Sequence, residues 1–514
     1  MTNHAKLFAV SLIVGTWLVK AVFVLSRPIQ SLALTPYLID DSFIFMQIAR
    51  NLARGLGFTY DGMTPTTGAP PLWVWLTAPL HWLMEPASAA RATVLLSAAI
   101  AGICGWLVFS ATAQLFGTIA AWVALSLTLF VPALFLTSLN GMETYLFAAI
   151  GLAILVQLVL RPPTRHQAIV VGTLLGLLVW TRADGAVLMA LVLVWQFLLA
   201  FEQRSRSLLK QSMLMTGISL VLLAGLLLWT WKLSGSWLPA NQRGRQMIAH
   251  GYWTDWDMQT YLLQSITNVT QFVRLYSSVL GWQLGAAALV ALGLVALDRN
   301  RRSAMVPFVL YTLFLISAYA FYQWYFPDVH GLRYILFSAL VMMILMAGGI
   351  AWLGEQWRVR ILIPAALTLL LLLIAGINYY LMVNSLSWTQ VHWIAGVPDE
   401  ELPEAWCVED WITYRLPKDA VIAAKDHGRL AYFGGRRIVD LAGIIDPAAI
   451  DSIRERNMLP YLTERGATHV ILYRNHDYYL NSAFDLLGGP YDKVNDFCPS
   501  SHFELYKIKN DEPN

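Results

Sequence analysis

Charge is scarce in this chain: of 514 residues only 13% are Asp, Glu, Lys or Arg, against 57% hydrophobic. That balance is the balance of an integral membrane protein and excludes an ordinary soluble core. The net charge of +3 is too small to argue for a nucleic-acid partner, and no basic stripe with interleaved aromatics occurs. Cysteine is nearly missing, with three residues in all. Cys104 falls inside an apolar run and reads as a small packing residue. Histidine offers no metal-ligand spacing, so His427 and His469 read as ordinary surface or core residues. No internal repeat is found. A cleaved leader is one reading of the apolar run ending at Leu25, but no clean small-x-small site follows and further apolar runs come after it, so it reads as an uncleaved first helix.

What is present is hydrophobic length. Apolar runs of about 20 residues, enough to cross a bilayer, recur near 7–25, 92–112, 115–137, 142–160, 167–183, 184–201, 212–232, 277–297, 303–323, 331–353 and 360–383. The piece from Pro70 to Met84 is apolar but only about 14 residues long, with Pro79 inside it, which is short for a span. Basic clusters decide the sides. Arg161/Arg165, Arg204/Arg206/Lys210, Arg299/Arg301/Arg302 and Arg358/Arg360 each lie in a short connection, so the positive-inside rule places all four in the cytoplasm. With the N-terminus also inside, this requires that 71–84 be interfacial or re-entrant, and the expectation is a polytopic all-α protein of about eleven transmembrane helices.

The same count sends 26–90, the turns 138–144 and 182–184, the stretch 233–276, the turn 324–333 and everything after about 384 to the outer face. Asp40-Asp41 stands directly after the first apolar segment, opening a stretch with helical periodicity (Phe43, Ile44, Met46, Ile48, Leu52) that Gly55-Leu56-Gly57 ends. Paired acids at a bilayer surface are functional candidates by default; a single N-cap acid would satisfy the helix dipole, and here there are two. Arg50 and Arg54 read as solvated or lipid-facing. Other polar residues on the same side are Glu143, Arg182, Asp184, Arg243, His330 and Arg333. Glu143 and Asp184 suit either sugar binding or simple pairing with Arg182, and Arg333 suits either phosphate binding or snorkelling to lipid headgroups.

From 384 to 514 the composition changes. The stretch 399–514 holds no spanning run. Val421 to Ala424, Arg437 to Leu441 and His469 to Tyr473 read as strands, while Pro447 to Arg456 and Leu459 to Arg465 read as helices. The expected division is therefore a membrane part, 1–383, with 26–90 as its first outer loop, and an outward α/β domain, 384–514. Cys407 and Cys498 both fall in that domain, where an oxidising compartment permits a disulfide, although spacing alone does not show their proximity.

These residues carry a family likeness. Asp40-Asp41-Ser42-Phe43-Ile44, Ala49-Arg50-Asn51-Leu52-Ala53, Gly55-x-Gly57 and Thr67-Gly68-Ala69-Pro70-Pro71-Leu72-Trp73 resemble the first outer loop of GT-C superfamily glycosyltransferases. The branch most resembled is that of bacterial arabinofuranosyltransferases, with aminoarabinose transferases and protein O-mannosyltransferases at a greater distance. Ser138 to Thr144 resembles that branch's Ser-Gly-Met-Glu-Thr turn, with Leu139-Asn140 inserted. Thr181-Arg182-Ala183-Asp184-Gly185 resembles its Arg-x-Asp-Gly turn, and Leu238-Pro239-Ala240-Asn241 resembles a Leu-Pro-Asn stretch with Ala240 added.

The resemblance implies a membrane enzyme that takes a sugar from a polyprenyl-phosphate donor and passes it, with inversion, to an acceptor hydroxyl on an envelope glycan, lipid or protein. It implies a multi-pass protein of the bacterial inner membrane whose C-terminal domain is periplasmic or extracellular. On the family pattern Asp40 is the general base and Asp41 orients acceptor, donor sugar or metal. Arg182, Arg333 and His330, with Arg243 and Arg245 behind them, then stabilise the departing phosphate, and Glu143 and Asp184 join the donor site. Some relatives use a divalent cation; Asp40, Asp41 and Glu143 would offer hard oxygen ligands to Mg, Mn or Ca. The competing class is a transporter or flippase of lipid-linked substrates, which inverted repeats and Gly/Pro-broken helices in matching halves would mark.

Overall fold

The computed structural model describes residues 2–35, 37–244, 258–321, 331–384, 406–425, 427–474, 484, 490–499 and 501–509. The chain forms two compact units. One comprises 1–26, 94–226 and 258–390, the other 27–93, 227–257 and 391–514. The C-terminal sheet therefore shares its unit with the first outer segment rather than standing alone.

The first unit is helical. Among the described residues six helices are long and apolar enough to cross a membrane: Asn3–Leu25, Pro86–Phe116, Gly185–Glu202, Arg206–Ser234, Leu332–Gln356 and Leu362–Met382. A seventh is counted if Ser265–Leu280 and Gln283–Ala296, bent by 66°, form one broken span. This is fewer than the eleven apolar runs, and local chemistry accounts for part of the difference. The run 115–137 splits into Thr118–Phe130 and Pro132–Thr137 because Pro132 has no N–H to donate and Val131 before it is extended. Thr144–Leu160 is apolar but shorter, since Glu143 and the turn before it take up the start of that run. The run 277–297 is interrupted at Gly281, whose φ of +81° suits glycine, and a helix that hydropathy alone does not reveal, Met258–Leu280, precedes the break.

Leu332–Gln356 is the most enclosed of the long helices, and Met343 and Met346 are packing residues within it. Gly293 and Gly349 let this helix and Gln283–Ala296 approach closely: a Cβ on Gly349 would lie 2.2 Å from the Leu289 carbonyl oxygen, and one on Gly293 2.0 Å from that of Leu345. Helices without a hydrophobic drive between them pack in this way. The four basic clusters all fall at helix ends or in the short connections between helices.

The second unit contains the helices Asp40–Ala53 and Pro71–Leu83 and a five-stranded sheet. At 13 residues, Pro71–Leu83 is about 20 Å long, short of the bilayer core. The strands are β1 (Val421–Ala424), β2 (Arg437–Asp440), β3 (His469–Tyr473), β4 (Tyr491–Lys493) and β5 (Phe503–Ile508), in spatial order β2-β1-β3-β5-β4. β1 pairs in parallel with β2 and β3, whereas β5 is antiparallel to both β3 and β4. The parallel strands are buried along nearly their whole length, as a covered parallel core requires. Helices Cys407–Arg415, Gly428–Phe433, Ala448–Arg454 and Leu459–Glu464 accompany the sheet. A disulfide joins Cys407 to Cys498, and Cys104 is buried and free.

Three distant stretches are stitched together inside this unit. Arg437 pairs with Asp61 at 2.8 Å, Thr66 donates its hydroxyl to the Ile445 carbonyl at 2.7 Å, and the Ala240 amide donates to the Thr67 hydroxyl at 2.8 Å. Gly68 and Gly244 face backbone: a Cβ on Gly68 would meet Ile444 O at 2.8 Å, and one on Gly244 would meet Gly443 O at 2.5 Å. Gly68 and Gly244 thus both pack on the loop that follows β2, while the Leu238-Pro239-Ala240 motif is tied to Thr67.

Candidate functional site

Each unit carries one polar cluster. In the second unit, helix Asp40–Ala53 begins at the acidic pair, with Ile39 as an N-cap that offers no side-chain hydrogen bond. Gly55, at φ +78°, follows the helix end. The Asp40 carboxylate does not cap its own helix. Its Oδ2 accepts the Gly428 amide at 2.7 Å and its Oδ1 the Arg429 amide at 2.9 Å, so it holds the start of helix Gly428–Phe433. Both Asp40 and Asp41 are half-buried.

Residues to which the sequence assigned no functional role build the support. Tyr60 donates its hydroxyl to the His427 carbonyl at 2.7 Å, and the same oxygen lies 2.8 Å from His427 Nδ1. His427 Nε2 donates to Asp440 Oδ1 at 3.0 Å. Asp440 also accepts the amides of Ala442, Ile445 and Asp446. All three side chains are buried. Burial alone would raise the Asp440 pKa; the His427 contact and the amides outweigh it and hold the carboxyl below its usual range. A depressed folded-state pKa stabilises at pH above the unfolded value, and that stability is lost as pH falls through the folded one. Acid unfolding of the wild type is therefore expected to set in below about pH 4, with a weaker dependence in Asp440→Asn, as read by a fluorescence titration.

Two further charged groups adjoin this region. Glu409 is buried, which raises its pKa despite the Arg429 guanidinium 3.2 Å away. Arg50 is not simply solvated as its sequence position suggests: it donates to the Tyr432 carbonyl at 3.0 Å, while Arg54 is exposed. Tyr432 in turn donates to Pro86 O at 2.6 Å. His469 is a buried residue of β3. Arg243 lies elsewhere in the unit, where it lines a cavity of about 340 Å³ with Ser236, Leu238, Asp451 and Arg454.

In the first unit, four of the expected donor residues converge. Arg182 forks onto Asp184, with Nε to Oδ1 at 3.0 Å and Nη2 to Oδ2 at 3.2 Å, and reaches Glu143 Oε1 at 3.3 Å through Nη1. Tyr311 donates to Asp184 Oδ2 at 3.1 Å. Arg333 donates to the Tyr334 hydroxyl at 2.8 Å. The Tyr334 ring has the Arg182 and Arg333 guanidinium carbons each 4.9 Å from its centroid, a cation–π contact with both. Glu143 Oε2 is buried with no hydrogen-bond partner. Such an oxygen is costly unless something else comes to meet it. The pairing of Glu143 and Asp184 with Arg182 is present, and it does not preclude a ligand. His330 and Arg245 lie outside the described residues.

Comparison with known proteins follows the same lines. The family model described as a domain of unknown function (DUF8728) matches residues 397–508. No curated protein matches the sequence. Among solved structures the chain is similar to ArnT from Cupriavidus metallidurans bound to undecaprenyl phosphate, with a TM-score of 0.58 at 15% identity over 98% of each chain. It is also similar to the oligosaccharyltransferase AglB from Archaeoglobus fulgidus in complex with an inhibitory peptide and a dolichol-phosphate (TM-score 0.55, 13% identity, 92% of this chain and 70% of that one). The Archaeoglobus fulgidus oligosaccharyltransferase in complex with Zn and sulfate is similar to the same degree, with a TM-score of 0.55 at 14% identity over 95% of this chain and 73% of that one. These are GT-C glycosyltransferases, and the likeness shows that this multi-pass membrane chain has the GT-C fold.

A metal is held by one of those neighbours, so its fit here can be tested on the donor set. Among the described residues no three His, Cys, Asp or Glu side chains converge. Both Asp40 oxygens already accept backbone amides, and Glu143 Oε1 faces Arg182. No ready-made ligand set for a resident cation stands among the described residues, and no chemical step below passes through one.

Proposed function

We propose that this GT-C chain is a glycosyltransferase of the bacterial inner membrane. It transfers a glycosyl residue from a polyprenyl-phosphate sugar to an acceptor hydroxyl on an envelope glycan, lipid or protein at the outer face. The reading includes the topology argued from the basic clusters: about eleven crossings, with the C-terminal domain periplasmic or extracellular. The observation that carries it is the Asp40 carboxylate, oriented by two backbone amides at the start of an outer helix in a GT-C fold. An ionised carboxylate has about four lone-pair directions, so two amides fix its orientation and leave two for an acceptor hydroxyl.

The chemistry is a single displacement. The acceptor oxygen attacks the anomeric carbon from the face opposite the phosphate, and its proton passes to Asp40. The bond from the anomeric carbon to the phosphate oxygen breaks as the new one forms, which inverts the configuration. Asp41 orients the acceptor or the sugar. Polyprenyl phosphate leaves with its negative charge, which Arg182 and Arg333 are suited to stabilise as guanidiniums preorganised by Asp184 and Tyr334. Glu143 Oε2 accepts a hydroxyl of the donor sugar, while His330 and Arg243 are lesser cationic or donor groups of the same reading.

The test is donor class. Purified protein in lipid is incubated with a panel of radiolabelled polyprenyl-phosphate sugars and, separately, with nucleotide sugars. Transfer from one of the lipid-linked donors is expected. Turnover of a nucleotide sugar in its place would reject the donor assignment.

A further inference from the structure

The amides that hold Asp40 come from two residues 388 and 389 positions away in sequence, in the C-terminal domain. That turn is not held by its own short helix alone. His427, whose carbonyl precedes the Gly428 amide, is clamped on three sides: Tyr60 hydroxyl on its carbonyl, the same oxygen beside its Nδ1, and Asp440 on its Nε2. Tyr60 lies on the segment that follows helix Asp40–Ala53, so the clamp and the acid it serves are linked through the same outer segment. The approach is as close as backbone permits. A Cβ on Gly428 would lie 2.1 Å from the Asp40 carbonyl oxygen and 3.0 Å from its Cγ, distances that backbone atoms cannot relieve without moving.

From this we infer that the Tyr60–His427–Asp440 clamp is a positioning device: through the Gly428 and Arg429 amides it sets where the Asp40 carboxylate points, which makes the C-terminal domain an integral part of the catalytic machinery. The inference rests on Asp40 acting as base. Its partner is the enzyme's own carboxylate and not a ligand, so what it determines is turnover and not donor affinity. Displacing a reacting group by about 1 Å costs on the order of 10²-fold in rate.

The test uses the full chain in lipid with the lipid-linked donor that supports transfer. Tyr60→Phe, which removes one hydroxyl and little volume, is expected to lower kcat by about tenfold or more with the donor KM within about threefold. Gly428→Ala is expected to lower kcat by about 10²-fold with the same split. Hydrogen exchange at the Gly428 and Arg429 amides, read by mass spectrometry, should rise by about tenfold in Asp40→Ala and in Tyr60→Phe. A merely structural clamp would lower the folded fraction and leave kcat per folded molecule unchanged; that result, or unchanged exchange, overturns the inference. The two readings fail differently. Full turnover in Asp40→Asn removes the base assignment and the positioning role together, whereas an inactive Asp40→Asn beside a fully active Tyr60→Phe and Gly428→Ala removes the positioning role alone.

Discussion

Asp40→Asn is expected to reduce transfer by about 10³-fold, within the 10²–10⁴ that a positioned general base contributes, while donor binding persists. The substitution also has a structural cost that the geometry makes specific. Both carboxylate oxygens accept amides, from Gly428 and Arg429. An asparagine side chain keeps one acceptor but turns an NH₂ toward the second amide, leaving that donor unsatisfied at a cost of about 1–3 kcal/mol. The drop in activity therefore has to be read against the folded fraction, by measuring transfer and thermal unfolding on one preparation. A loss of two or more decades in a protein that still unfolds cooperatively is the expected outcome. Asp41→Asn, by contrast, changes a group assigned to orientation and should fall less. Equal transfer in the wild type and both variants would remove the acidic pair from the chemistry.

Removing Arg182 is the other change with a large expected effect. Its guanidinium forks onto Asp184 and reaches Glu143, and both Arg182 and Glu143 are almost wholly buried. Arg182→Ala leaves these two carboxylates facing each other without their cation. Breaking a buried pair from one side costs about 3–5 kcal/mol, because the remaining charge stays buried. A fall in thermal midpoint and a loss of donor use should appear together. Arg182→Lys keeps the charge but cannot reproduce the two-pronged contact with Asp184, so intermediate values of both are expected. The control is Arg182→Met with Glu143→Gln and Asp184→Asn: neutralising all three should recover much of the stability and none of the transfer. Recovery of transfer in that triple variant would show that the cluster is only a structural brace.

How much of this was open to a reader of the sequence depends on the range of the signal. Hydrophobic length is local, so long apolar helices such as Asn3–Leu25 and Leu332–Gln356 stand out. Helix Asp40–Ala53 was equally legible: charge appears where the apolar run stops, periodicity follows, and a glycine pair closes it. The parallel strands β1, β2 and β3 declare themselves through short β-branched runs. β4 does not, since Tyr491-Asp492-Lys493 has one buried residue and no pattern of its own. Met258–Leu280 escaped because Asn268, Ser277 and other polar residues dilute its hydropathy, although they leave one face apolar. Val131-Pro132 broke a run that composition reported as continuous.

The clusters follow the same rule. Glu143, Arg182 and Asp184 were readable as a set because each stands at the tip of a turn between apolar runs. The pairing of Asp40 was not, because its partners are backbone amides, which carry no residue signature, and they arrive from the far end of the chain. Tyr60, His427 and Asp440 share no spacing either. A lone histidine without ligand spacing is rightly read as an ordinary core residue, and only the fold reveals that this one is held by a phenol on one side and a carboxylate on the other.

The most direct measurement is a cryo-EM structure of the Asp40→Asn variant trapped with its lipid-linked sugar donor and an acceptor. The account predicts the acceptor oxygen within hydrogen-bond reach of residue 40, about 3 Å, with the anomeric carbon beyond it and the phosphate on the opposite side of the sugar ring. A sugar seated where residue 40 cannot reach the attacking hydroxyl, directly or through one water, would contradict it.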